Sequence, residues 1–300
     1  MKSLLSALIA AWLVLPAYAD EAKASDFIRV DEDAQAARLQ TGITHYEKAG
    51  TKVDLIGAIH IADAAYYKAL GDKFTAYDAV LYEMVGDDDA ATKAAPAAKP
   101  GAKKPDLSGL HQVYSLAAKF LGLTGQMESI DYTRKNFIHA DVTLEQFQAL
   151  QKEKGESILK MAEKASEGKK EPDTAKLMQA MLSGNSNGMK LEIIHSLGGA
   201  DDQIAAFAGE SVIIGDRNAK CMEVLDGQLA KGEKHLAIFY GAAHFPDMEK
   251  RLLAKGFKKS SHEWVTAWDV PKQKPAAAPA APVVPPAPAA PAAPVKKKAA

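Results

Sequence analysis

The 300-residue chain is 47% hydrophobic and 25% charged, and its 37 basic and 38 acidic side chains leave a formal charge of −1. This suits one sizeable domain with appendages, or two small ones. With Lys and Arg scattered and no aromatic-basic stripe, it argues against a nucleic-acid partner. Cys221 is the only cysteine, which excludes an intramolecular disulfide and a Cys-based structural zinc site.

The chain opens with Lys2, an apolar run from Leu4 to Leu15, Pro16, and Ala17-Tyr18-Ala19 ahead of Asp20-Glu21. That is the pattern of a secretory signal, and it falls short of the ~20 residues that a membrane-spanning helix needs. Residues 1–19 are therefore expected to be removed after Ala19, leaving a periplasmic or secreted protein with no transmembrane span. No cysteine stands directly after the cleavage site, where Asp20 is found, so no lipid anchor is indicated.

Residues 20–270 are read as an α/β domain. Ile43 to Glu47, a turn at Ala49-Gly50 and Lys52 to Gly57 predict a hairpin, with His45 as a cross-strand residue. The second strand stops at Gly57-Ala58-Ile59-His60, and Ala64 to Phe74 reads as a helix. Asp78 to Met84 is a further apolar run with Glu83 at its carboxyl edge. Residues 87–106 hold aspartates, alanines, lysines and prolines with almost nothing to bury, which predicts a flexible excursion. Residues 107–209 read as a helical insertion, a natural lid or cleft wall. Within it Thr143 and Gln146 form a capping box ahead of Leu144, Phe147, Leu150, Ile158 and Met161.

The sheet is expected to resume at Ser211 to Gly215, with Asp216-Arg217-Asn218 opening a helix to about Ala230. Leu236 to Ala243 is another strand that ends at His244, followed by a helix over Met248 to Lys255 and a last strand over His262 to Trp268. Residues 271–300 form a Pro/Ala-rich tail ending in Lys296-Lys297-Lys298. Proline favours an extended spacer, whose lysines suit contact with an anionic envelope surface; a solvated tail without a partner is the other reading.

Two of these strands share a tip, Gly-Ala-x-His-apolar-x-Asp, at Gly57 to Asp63 and at Gly241 to Asp247. In an open α/β sheet, ligands bind beyond the carboxyl ends of the strands. His60, Glu83, Arg217 and His244 all fall at such ends. Singly, each has an ordinary structural explanation. Together, two imidazoles and a carboxylate are a usual ligand set for a divalent metal, which lowers the pKa of a bound water to near ~7. Arg217 suits a developing oxyanion. A helix N-terminus just after each histidine disfavours its protonated form. A metal-free version, with one histidine and Glu83 sharing acid-base work, is equally compatible with the sequence.

The segment Ile130 to Asp141 is rich in hydrogen-bonding side chains and suits a flap over the cleft, with Tyr132, Arg134 or His139 meeting substrate. Its plainer reading is a helix cap and surface turn, with Asp141 and Thr143 as ordinary residues at a helix start. His111, His195, His235 and His262 have no motif context and read as structural.

The order of these features resembles the TraB/GumN/TIKI family, within the broader erythromycin-esterase-like and ChaN-like superfamily. The matching residues are Gly57 and His60, Glu83, Arg217 with Asn218, and Gly241 with His244, across a likeness from Thr41 to Trp268. The resemblance implies an α/β fold in which a mixed central sheet carries two related strand-helix halves. It further implies a metal-dependent peptidase using Mn or Co, with Zn allowed by the ligand chemistry, that acts on a peptide or protein substrate. By that resemblance His60, Glu83 and His244 are metal or acid-base residues, and Arg217 and Asn218 contact substrate. The superfamily also includes haem- or iron-binding relatives, so a non-catalytic haem- or iron-binding envelope protein is the alternative.

Overall fold

The hairpin read at Thr41 to His60 is the start of a larger sheet. In the computed structural model, β1 (Ile28–Glu32) leads into β2 (Ala36–Lys48) and β3 (Thr51–Ala58). Ala49 and Gly50 both take positive φ between β2 and β3, 48° and 81°, as a two-residue turn matched to strand twist requires. The structure describes residues 27–86, 108–155, 173–196 and 212–272. The expected signal segment, the excursion at 87–106, residues 156–172 and 197–209 of the insertion, and the tail from 273 onward lie outside them.

β2 is the hinge between two kinds of pairing. One edge pairs antiparallel with β9 (Lys258–Pro271); the other pairs antiparallel with β1 and then with β3. Beyond β3 the sheet turns parallel: β3 pairs with β8 (His235–Gly241), β8 with β5 (Ala79–Tyr82), and β5 with β7 (Phe137–His139). The parallel strands are nearly continuous apolar runs because both their faces are covered. Ile56, Val80, Ala237 and Phe239 pack with Tyr66, Tyr67, Leu70 and Phe74 around α1 (Ala64–Lys73). Leu55, Leu81, Ile238 and Tyr240 pack on the other face with Cys221, Met222 and Leu225 of α7 (Val212–Ala230) and Phe245, Met248 and Leu252 of α8 (Phe245–Ala254). The result is a mixed α/β fold, helices on both sides of one sheet.

Between β5 and α7 lie α2 (Ser108–Leu121), β6 (Thr124–Gly125), α3 (Gln126–Ser129), β7, α4 (Leu144–Lys154), α5 (Thr174–Leu182) and α6 (Ser186–Ser196). The capping box is present: Gln146 N donates to Thr143 Oγ1 at 3.2 Å, and Thr143 N to Gln146 Oε1 at 2.9 Å.

Three expectations need correction. The strand expected at Ser211 to Gly215 is absent among the described residues, because Val212 to Gly215 form the first turn of α7. Ile214, Asn218, Cys221, Leu225 and Gln228 are buried at helical spacing, and that stripe overrides the β preference of the Val-Ile-Ile run. The expected insertion is not purely helical, since it supplies β7 to the central sheet and β6 to a small ladder with β4 (Ile61–Ala62). Strands this short carry too few residues for a period to show. The last helix starts at Phe245 rather than Met248, after a 3-10 turn over Ala242–His244.

Candidate functional site at the carboxyl edge of the parallel strands

The register places the site. Ala58 stands opposite Gly241, and Tyr82 opposite Phe239, so β3, β8 and β5 end together and release His60, His244 and Glu83 at one edge. Glu83 continues the β5 pairing by one bond, its N–H reaching Phe239 O at 3.1 Å. Its carboxylate then folds back over β8, where Oε2 accepts from Gly241 N at 2.7 Å. A Cβ on residue 241 would lie 3.3 Å from that oxygen and 3.9 Å from His244 Cδ2. Glycine at 241 therefore lets a carboxylate sit against the strand end. Gly57, its counterpart, is needed for a different reason: a Cβ there would stand 3.1 Å from Gly42 O, within the sheet itself.

Glu83 Oε1 accepts from Arg217 Nη2 at 2.6 Å and faces His244 Nε2 at 3.5 Å. Burial acts to raise the Glu83 pKa, but the Arg217 guanidinium and then His244 outweigh it and hold the carboxyl well below its usual range. Arg217 also grips Asp141, donating from Nε at 2.9 Å and from Nη2 at 2.6 Å. The Arg217 side chain is 11% exposed and that of Asp141 is fully buried. Burial disfavours the guanidinium charge, yet Glu83 and Asp141 together raise its pKa. Two carboxylates around one guanidinium leave this buried group with a formal charge of −1, which favours a further positive group beside it.

Asn218 sets the state of His244. Its Nδ2 donates to His244 O at 3.1 Å and to Asp247 Oδ2 at 2.8 Å, so the carboxamide oxygen must be the atom turned to the ring. That oxygen is 2.6 Å from His244 Nδ1, which therefore carries a hydrogen and leaves Nε2 facing Glu83. Arg251 in turn holds Asp247, at 2.6 Å. The aspartate of the second motif thus buttresses its histidine through Asn218.

A model of the TraB/PrgY/gumN family matches residues 132–260. Over those residues the chain is similar to that family. No curated protein and no solved structure matches it. The family match takes in Asp141, Arg217, Asn218, Gly241 and His244, whereas His60 and Glu83 precede it.

His60 differs from His244 in two respects. It is exposed, and β4 separates it from α1, so it does not sit immediately before a helix N-terminus as expected. Although one side of the ring is open to solvent, the protein gathered around it pushes its pKa down. Glu83 opposes that shift, and Arg217 and His244 add to it. The ring packs 4.9 Å from that of Tyr114.

The other expected substrate contacts have internal duties. Arg217 comes from the second turn of a helix, not from a strand end as expected, and Glu83 and Asp141 take its Nε and Nη2 donors. Arg134 donates to Gly71 O at 2.6 Å, near the C-terminal end of α1. Tyr132 is buried against Tyr82, ring centroids 5.1 Å apart, and its hydroxyl accepts from Gln126 Nε2 at 2.9 Å. His139 Nε2 lies 2.6 Å from Met84 O. The segment from 130 to 141 is therefore the lead-in and body of β7, not a flap. Asp141, which reads as a helix-start residue in the sequence, is the functional neighbour that reading missed. The usable signal was its place just past an apolar strand, the same grammar that marks Glu83.

A divalent ion on His60, Glu83 and His244 can be tested on this donor set. Among the described residues, no three His, Cys, Asp or Glu side chains converge as a metal group. Arg217 and Gly241 N already occupy the two Glu83 oxygens. His244 Nε2 and Glu83 Oε1 face each other as one pair of donors, which does not make a complete ligand set. As arranged, the residues do not fit the ion, and no chemical step is derived through it.

Proposed function

We propose that this protein is an exported hydrolase that cleaves a peptide or related amide or ester bond at the carboxyl edge of β3, β8 and β5. One observation supports the reading: the neighbouring parallel strands β3 and β8 end side by side in a Gly-Ala-x-His turn each, the second of them in contact with the half-buried Glu83 and the first close enough to feel its charge. His60 is the open, neutral imidazole. It takes a proton from water as the water oxygen attacks the substrate carbonyl carbon, and it gives that proton to the leaving nitrogen or oxygen as the bond breaks. Glu83 and His244 form the floor beside it, and Arg217 holds Glu83 in place. Mn or Co, implied by the family resemblance, enters the same test as a separate arm.

Purified mature protein is expected to cleave members of a peptide and ester panel. His60→Ala and His244→Ala are each expected to lower turnover by about 10²-fold or more, with circular dichroism unchanged. Full activity in both variants overturns the site assignment. Turnover that survives a chelator supports the acid-base form, and turnover that stops and returns with Mn or Co supports the metal-dependent form. A Soret band on haem titration with no cleavage of any substrate contradicts the hydrolase. Export predicts a mature N-terminus at Asp20 in the periplasmic fraction or medium, read by mass spectrometry; a cytoplasmic chain that keeps Met1 contradicts it.

A further inference from the structure

We propose that Gln126 is a positioning residue that locks the His60 imidazole in one tautomer, with a ring N–H turned to the Gln126 carboxamide oxygen and the other ring nitrogen left unprotonated. The proposal rests on His60 as the acid-base group and adds what decides which of its nitrogens accepts a proton. Neither the repeated motif nor the family match reaches Gln126.

The backbone brings the two side chains together. β4 and β6 pair antiparallel with Ile61 opposite Gly125, so His60 and Gln126 are the next opposed residues, and Gln126 N donates to His60 O at 2.8 Å. Gln126 is 7% exposed and its Nε2 is committed to Tyr132 OH, while its Oε1 has no hydrogen-bond partner. A buried acceptor without a donor is costly, and the nearby imidazole offers the donor it lacks. The influence is already felt at the ring, where the carboxamide favours the protonated form against the general downward shift. Contacts of catalytic groups are often long before substrate binds and tighten afterwards.

The arrangement repeats what Asn218 does for the other histidine. There the carboxamide oxygen is 2.6 Å from Nδ1 and the amide nitrogen is tied elsewhere. Each Gly-Ala-x-His imidazole thus has a carboxamide beside it, supplied from outside its own motif.

The test is nitrogen NMR of the full chain labelled with ¹⁵N-histidine, the His60 signals being assigned by their loss in His60→Ala. The native protein is expected to show one His60 tautomer. Gln126→Leu is expected to give a tautomer mixture and to lower the His60 pKa further, since it removes an acceptor for the imidazolium. Gln126→Glu, which keeps the side-chain length, is expected to raise it instead. Unchanged tautomer and pKa in both variants overturn the proposal. Because the readout does not use turnover, a locked tautomer released by Gln126→Leu supports the role of Gln126 even where no substrate is cleaved, and that second result counts against the hydrolase alone.

Discussion

Asp141, Arg217 and Glu83 form a chain of charges in which each member depends on the next. Removing one partner from a buried ion pair leaves an uncompensated charge, at a cost of about 3–5 kcal/mol. Asp141→Ala is therefore expected to lower stability by that amount in denaturant unfolding, whereas Lys68→Ala, in the exposed Lys68–Asp72 pair, should change it by less than about 0.5 kcal/mol. Equal small effects would show that Arg217 does not need Asp141. His60 and His244 with their glycines, Glu83, Arg217 and Asn218 are legible in the sequence because a strand pattern stops at each or a motif contains it. Asp141 and Gln126 are not. An aspartate ahead of a helix has an ordinary explanation, and a glutamine beside a two-residue ladder has no period to announce it.

At the scale of elements, the strands with strong apolar runs are legible and those defined by their partners are not. β3, β5 and β8 are found from sequence, while β7 exists because β5 offers it an edge and β1 because β2 extends past the hairpin. The first turn of α7 shows local preference yielding to a buried stripe. Two glycines separate these influences. Gly241→Ala forces a Cβ against Glu83 Oε2 and is expected to cost about 1–3 kcal/mol. Gly227→Ala, at an exposed position of α7 where a Cβ meets nothing within 4 Å, should stabilise the protein by about 0.5–1 kcal/mol. Thermal melts of the two variants moving in the same direction would contradict the role given to residue 241.

Across the whole molecule, the two ends of the parallel strands carry different polar groups. Glu83 and its partners occupy the carboxyl end. At the other, His45 Nδ1 lies 2.9 Å from Asp54 Oδ1 and Tyr77 donates to Asp54 Oδ2 at 2.7 Å. The Asp54 hydrogen bond leads the causes that raise the His45 pKa, whereas Glu83 is depressed. A depressed carboxyl contributes stability that is full above its unfolded pKa near 4.5 and is lost as pH falls toward its folded pKa; a raised imidazole contributes stability that is full below 6.5 and is lost as pH rises through its folded pKa. These two groups predict a plateau of stability between those values. Glu83→Gln should flatten the acid limb alone, and His45→Gln the basic limb alone, in unfolding followed against pH. No helix among the described residues is long and apolar enough to cross a membrane.

That His60, Glu83 and His244 work as one hydrolytic centre is tested most directly by turnover of Glu83→Gln, which keeps the size of the side chain and removes its charge. The substrate is any panel member that the native protein cleaves. The arrangement predicts a loss of about 10²-fold or more in kcat/KM with native circular dichroism. Turnover equal to that of the native protein would contradict it and leave the shared edge of β3, β8 and β5 as architecture alone.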